Sequence, residues 1–352
     1  MRAANPALIS PYFHPDYTRL LSELRGDVRI VIETDANGEA IAFLPIQGGR
    51  FARPVGAPMS DYHALITAAG SEATYDSVLS GTGIGAFHFS HATDANRLRA
   101  PQMLSRDTTA ALEIETTAED WRASRDGSYR RHLKSTRRRI RKAEEEVGPR
   151  RVELFSRNID TYAALIRWKR EKFSQTGKYD VLSADWTQSL IRSFWERGRE
   201  AGLRCDMHAL YFGDTLAAID LGLSDGQTFH SWMVAYNDDM QAYAPGIQLM
   251  EALIDATPET GYSRIDLGAG LDGYKRHYAT HSADVIGGLV PLSGAVGRLS
   301  ALYAKTESWG ERALGDMPGK LRRRYSQIAA CEDHFLGRAR HMMAAVATSR
   351  RG

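Results

Sequence analysis

The stretch Thr228-Phe229-His230-Ser231-Trp232-Met233-Val234-Ala235-Tyr236, running through Gln241-Ala242-Tyr243-Ala244 to Pro245-Gly246-Ile247, decides how this chain is read. Its first nine residues are rich in aromatic and β-branched types and predict a strand. After a polar connection, Ile247, Met250, Leu253 and Ile254 recur at helical spacing, with Gln248, Glu251 and Asp255 on or near the opposite face. A helix start presents unpaired N–H groups and the positive end of the helix dipole, a combination that stabilises phosphate. Gly246 allows a ligand close to the backbone, and Pro245 suits a first turn because it has no N–H to lose. The segment therefore predicts a strand–loop–helix junction shaped for a pyrophosphate.

Working outward, residues 207–212 and 215–223 predict a hairpin about Gly213-Asp214, preceded by a helical stretch over 183–201. The same layout stands near the start: a helix over 15–24, then a hairpin over 27–47 with Asp35-Ala36-Asn37-Gly38 at the turn. Two copies of one fold are expected from this repeated order. Downstream, residues 265–267 predict a short buried strand entering Gly268-Ala269-Gly270, and residues 285–292 a later one. Residues 121–147 read as one helix crowded with Arg and Lys, its sparse inward stripe being Tyr129, Leu133, Thr136, Ile140 and Val147. From Val296 onward Leu299, Leu302, Tyr303, Thr306 and Trp309 keep a helical period, resumed over 320–345. Domains are expected at 1–115, 116–295 and 296–352, the last a helical extension.

A chain of 352 residues exceeds one compact core of ordinary size. With 43% hydrophobic and 25% charged residues it falls outside the disordered range. Cys205 and Cys331 are too few for a disulfide framework and do not form C-x-x-C, and no metal site is expected. The apolar runs, such as 41–44, fall far short of the ~20 residues of a membrane helix. No apolar segment follows the charged N-terminus, so a cytoplasmic location is expected. Net charge is only +2, so the run Arg130–Lys142 stands out. Phosphates of CoA or of a nucleotide-linked sugar, an anionic membrane surface and nucleic acid compete as its partners with a plain solvated face. Glu144, Glu145 and Glu146 offset part of the charge. The absence of interleaved aromatics and of a familiar module argues against specific nucleic-acid binding.

Acetyltransferases of the GNAT superfamily carry Gln/Arg-x-x-Gly-x-Gly/Ala at such a junction. Here Gln241 and Gly246 match, while Ala244 replaces the first glycine. The order of hairpin, third strand and Pro-Gly helix, then Arg264-Ile265-Asp266-Leu267-Gly268-Ala269-Gly270 and Tyr274-Lys275-Arg276, resembles the CelD-like (cellulose-biosynthesis-associated) GNAT family, relatives of the FemAB transferases. Pro11-Tyr12-Phe13, Pro58-Met59-Ser60-Asp61-Tyr62 and the Arg-rich helix after Trp121 extend the resemblance over most of residues 10–293.

The resemblance implies a mixed α/β fold of tandem GNAT-like domains, each a mixed sheet flanked by helices, plus C-terminal helices. It implies an acyl-CoA co-substrate, acetyl-CoA first, and a small cell-envelope or polysaccharide-related acceptor that attacks the thioester directly with help from a base and from N–H groups at the oxyanion. Met233, Val234 and Ala235 would pair their backbone with pantetheine amides, and Gln241, Ala244, Pro245, Gly246 and Ile247 would cradle the phosphates. His230, Asp266 and Lys275 are the catalytic candidates, each with an ordinary structural role as its competitor. Asp61, Tyr62, His63 and Tyr274 are the expected acceptor contacts. Transfer from aminoacyl-tRNA, as in the FemAB relatives, and a non-catalytic basic binding protein are the alternatives.

Overall fold

The computed structural model describes residues 1–198, 200–314, 317–332 and 338. The fold is mixed α/β, with sheet strands flanked by helices and two long helices near the C-terminus. The chain divides into two compact units. These are not the contiguous blocks 1–115, 116–295 and 296–352. The first comprises Met1–Thr108, Gly177–Leu190 and the described residues from Ala283 onward; the second comprises Thr109–Thr176 and Ile191–Ser282. The C-terminal helices thus belong to the first unit and form no separate extension.

In the first unit α1 (Pro15–Leu24) leads into the antiparallel hairpin β1 (Val28–Thr34) and β2 (Ala40–Gly48), whose turn is tied by the Asp35 carboxylate accepting the Asn37 and Glu39 N–H groups. β3 (Phe51–Pro54), β4 (Ile66–Thr67), α2 (Tyr75–Leu79), β5 (Ala86–Ala92) and β6 (Met103–Glu113) follow. Together with β12 (Asp284–Pro291) these give the order β1-β2-β3-β5-β12-β6, with β4 also on β2. Its core stacks Tyr75, Phe87 and Phe89. α10 (Gly294–Leu314) and α11 (Met317–Cys331) complete it. Ser300, Ala304 and Glu307 turn inward in α10, with Arg322 of α11 donating to the buried Glu307 carboxylate. Leu299, Leu302 and Tyr303, which keep the helical period, are 67%, 59% and 45% exposed, and the helix buries smaller side chains such as Ser300 and Ala304 instead. The Trp309 side chain and residues 333–337 and 339–345 of the expected helix lie outside the described residues.

The second unit contains α3 (Ala118–Ser124), α4 (Gly127–Glu146), β7 (Arg150–Glu153), α5 (Ile159–Gln175), β8 (Arg204–Phe212), β9 (Thr215–Ser224), β10 (Thr228–Tyr236), α7 (Pro245–Asp255), α8 (Thr257–Thr260), β11 (Arg264–Ala269) and α9 (Lys275–Tyr278). α6 (Asp185–Glu196) contributes to both units. Strand order is β6-β11-β10-β9-β8-β7, antiparallel except for β10 with β11. The helix expected over 121–147 is two: the Asp126 carboxylate accepts the Tyr129 N–H and begins a new helix. Tyr129, Thr136 and Ala143 are its buried residues.

α7 is buried nearly all round, and the polar face expected for Gln248 and Glu251 is interior. Glu251 is held there by Arg122 Nη2 at 2.9 Å and Nε at 3.2 Å, Tyr278 Oη at 2.7 Å and Tyr129 Oη at 3.0 Å. A buried carboxylate is tolerable when its lone pairs are filled and a cation faces it. This cluster anchors α7, and with it the helix start, to α3, α4 and α9. No helix among the described residues is long and apolar enough to cross a membrane.

Candidate active site

β10 pairs with β9 from Phe229 opposite Ser224 to Tyr236 opposite Ala218. On its other side it pairs with β11 only as far as His230 opposite Asp266. From Ser231 onward that edge has no strand partner among the described residues, so backbone donors and acceptors face a gap. At the same point the register with β9 slips between Ser231 and Met233, making Trp232 an extra, bulged residue. The bulge breaks the alternation that would put His230, Trp232 and Val234 on one face. Along this strand α5 brings Trp168, Lys169 and Lys172 against Val234–Asn237, enclosing a cleft of about 250 Å³. Lys169 Nζ lies 3.4 Å from the Val234 carbonyl oxygen.

The chain leaves β10 through a 3₁₀ turn, Asp238–Tyr243, and enters α7 at Ala244, which has φ 54° and no side-chain cap. The Ile247 and Gln248 N–H groups return to the Ala244 carbonyl. The Gly246 N–H is left without a hydrogen-bond partner among the described residues. A Cβ on Gly246 would meet only Val234 Cγ1, at 3.9 Å. The fold therefore does not require glycine here; its absent side chain keeps the space between helix start and β10 open. Beside it, Lys142 of α4 stands 5.9 Å from the Tyr243 ring centre, and Tyr243 Oη donates to Glu146 at 2.6 Å. The C-terminal end of the basic helix α4 thus lies against the loop that leads to Gly246.

Beneath this junction is a group absent from the expected site residues. Asp220 of β9 stands opposite Val234, is 2% exposed, and receives the Ser231 hydroxyl at 2.9 and 2.8 Å on its two oxygens. Burial pushes its carboxyl up to about 6, against the Ser231 hydrogen bond and the charges of His230 and Lys169. Tyr274 is close enough that burial and Asp220 together push its phenol up to about 12. A signal for Asp220 does exist in the sequence: it is the one charged residue in Thr215–Ser224, a strand otherwise made of apolar and small residues.

Residues 130–276 match the family model described as an acetyltransferase (GNAT) domain. The chain carries a GNAT acetyltransferase domain. No curated protein matches the chain. Among solved structures FemX is similar, with a TM-score of 0.51 at 9% identity over 82% of this chain and 93% of that one, a likeness of fold alone. A tandem GNAT protein from the clavulanic acid biosynthesis pathway aligns with a TM-score of 0.42 at 9% identity, covering 74% and 82%. A GCN5-related N-acetyltransferase from Kribbella flavida aligns with 0.39 at 10%, covering 79% and 96%.

A GNAT domain implies an acyl-CoA co-substrate. This one fits it: an open strand edge for amide pairing, a partnerless N–H beside a glycine that the fold does not demand, and cations on the adjoining helix. Of Met233, Val234 and Ala235, Val234 turns its N–H and C=O to the open edge while its two neighbours bond β9, and Ala244, Pro245, Gly246 and Ile247 lie at the helix start. Gln241 is on the 3₁₀ turn, where its carbonyl accepts the Ala244 N–H.

The expected catalytic residues of the GNAT domain are placed differently from one another. His230 is fully buried with Nδ1 3.4 Å from Asp266 Oδ1, and Asp266 also accepts the Gly268 N–H at 2.8 Å. Lys275 donates to the Ala269 carbonyl at 2.8 Å, holding the end of β11. His230 and Asp266 are thus together at the last β10–β11 pair, while Lys275 is engaged with backbone. Of the acceptor residues, Tyr274 lies near Asp220, but Asp61, Tyr62 and His63 belong to the first unit. Tyr62 is 4% exposed and edge-on to Tyr12, and His63 is 7% exposed and edge-on to Phe89. Such burial leaves neither ring a face for stacking a ligand; Asp61 alone keeps a half-buried side chain.

Proposed function

We propose that the second unit transfers an acyl group, acetyl first, from acyl-CoA to an amine or hydroxyl of a small cell-envelope or polysaccharide-related acceptor. The observation that carries the donor half is the open edge of β10 beside the Gly246 N–H. Within Met233–Ala235 the Val234 backbone groups hold the pantetheine amides, Gly246 meets the pyrophosphate, and Lys142 with its α4 neighbours faces the remaining phosphate charge. The bulge at Trp232 turns backbone groups out of the ladder at the mouth of the gap, where an oxyanion would form. The acceptor class rests on the resemblance of Arg264–Gly270 and Tyr274–Arg276 to the CelD-like family. The basic helix makes at most weak contact with anionic surfaces in this reading, since Lys142 is 3.7 Å from Glu146 and part of its charge is offset.

Calorimetric titration with acetyl-CoA, aminoacyl-tRNA and a generic polyanion tests this reading. Saturable binding of acetyl-CoA is expected, weakened at least about tenfold in Gly246→Asp, where a carboxylate faces phosphate. Binding of aminoacyl-tRNA alone would favour FemAB-like transfer. Steeply salt-dependent polyanion binding without acetyl-CoA binding would favour a non-catalytic basic protein.

A further inference from the structure

We infer that Ser231 is the residue through which the acceptor loses its proton, and that Asp220 behind it is where that proton goes. The inference rests on the donor reading above and deepens it. Ser231 is the first residue of β10 beyond its last pairing with β11, and it precedes the bulged Trp232. Ser231 is half-buried, whereas Asp220 is sealed. Its Oγ lies 2.9 and 2.8 Å from the two carboxylate oxygens, so either can take the hydroxyl proton without movement. Among the described residues this hydroxyl is the only hydrogen-bond donor to the Asp220 carboxylate.

As the acceptor N–H or O–H attacks the thioester carbon, its proton passes to Ser231 Oγ while the Ser231 proton passes to Asp220. The bond from acceptor to acyl carbon forms, the C–S bond breaks, and the Asp220 proton returns through Ser231 to the leaving sulfur, giving a free thiol and a neutral product. Nothing is left over on the protein. Ser231 touches the acceptor; Asp220 acts through it.

The groups facing Asp220 suit this work. β8 brings His208 opposite it and the Cys205 thiol nearby; β10 brings His230; α5 brings Lys169; Tyr262 and Tyr274 approach from the loops on either side of β11. Burial resists the ionised form and the His230 and Lys169 charges oppose that resistance, which holds the carboxyl at about 6. A base that loses its proton near 6 is ionised at neutral pH and still binds a proton far more readily than an exposed aspartate.

The test is infrared difference spectroscopy of the full chain against Asp220→Asn from pH 4 to 8, with acetyl-CoA hydrolysis, water standing for the acceptor, and acetyl-CoA calorimetry on the same proteins. A protonated-carboxyl band unique to the wild type should fade with a midpoint near 6. Ser231→Ala should move that midpoint upward, because the hydroxyl hydrogen bond favours the ionised form, and Ser231→Thr should leave it in place. Hydrolysis should fall about 10²-fold or more in Asp220→Asn and Ser231→Ala, recover in Ser231→Thr, and keep an unchanged acetyl-CoA affinity. A band that fades below about pH 5, or hydrolysis untouched in Asp220→Asn despite normal acetyl-CoA binding, overturns the inference. A midpoint near 6 in a protein that binds no acetyl-CoA leaves the proton path standing and condemns the donor reading.

Discussion

Asp94 in the first unit and Asp220 in the second are both pushed up to about 6 by burial, and they differ in what surrounds them. Asp94 accepts the Leu65 N–H at 2.9 Å and the Tyr75 hydroxyl at 2.8 Å, with Arg97 Nε 3.9 Å away. Its oxygens are each used by a group that belongs to the core. Among the described residues Asp220 has only the Ser231 hydroxyl, from a half-buried residue at the point where β10 leaves β11. Burial by itself therefore does not mark a reactive group. What marks it is a buried charge whose partner can itself exchange protons with something outside.

The largest effect that would break this contrast is on turnover: Asp220→Asn should lower acyl transfer about 10²-fold or more while the protein stays folded, as read from steady-state rates. Asn can accept the Ser231 hydroxyl, so its cost to the fold is small. A third buried carboxylate sharpens the comparison. Glu251 is saturated by Arg122, Tyr129 and Tyr278, and Glu251→Ala should cost about 3–5 kcal/mol in chemical denaturation, because it strands two hydroxyls and leaves the Arg122 guanidinium with the Asp255 carboxylate alone. Asp94→Asn should cost about 1–3 kcal/mol, since its amide turns a donor toward the Leu65 N–H or the Tyr75 hydroxyl. Acetyl-CoA affinity should not change in it.

The smallest effect concerns pH. Asp94 and Asp220 both bind their proton more tightly folded than unfolded, so each contributes stability that is full below about pH 4 and lost as pH rises through about 6. Asp220→Asn removes one such loss. Its Tm relative to wild type should climb between pH 4 and 7, and a flat difference would place the Asp220 carboxyl in the ordinary aspartate range.

Much of the second unit was legible in the sequence. β10 and the start of α7 lie where aromatic and β-branched residues give way to Pro245-Gly246, because local propensity and burial there point the same way. The duplicated hairpins were legible for the same reason. Tertiary context hid the rest. Glu251 and Gln248 look like a solvated face by periodicity, yet α7 packs on β8, β9 and β10 and on α4, and both residues are buried. Trp232 sits in a bulge that no alternation reveals, and its slip separates His230 from the face assigned to it. Asp61, Tyr62 and His63 are acceptor contacts by resemblance, whereas Tyr12 and Phe89 close over the two rings. Lys169 was invisible as a site residue because only the packing of α5 on β10 brings it to the Val234 carbonyl. Asp220 was visible as an acid inside an apolar strand; its partner was not, since the cross-strand pairing and the bulge together decide that Ser231 reaches it.

The central claim is that the donor occupies the unpaired edge of β10 and the start of α7. Hydrogen–deuterium exchange with residue-level resolution, with and without saturating acetyl-CoA, tests it most directly. Slowed exchange is predicted at the amides of Val234 and Tyr236, which face the gap, and at Gly246, with Asp61, Tyr62 and His63 unchanged. Bound acetyl-CoA with no protection on that edge, or with protection centred on the first unit, would contradict it.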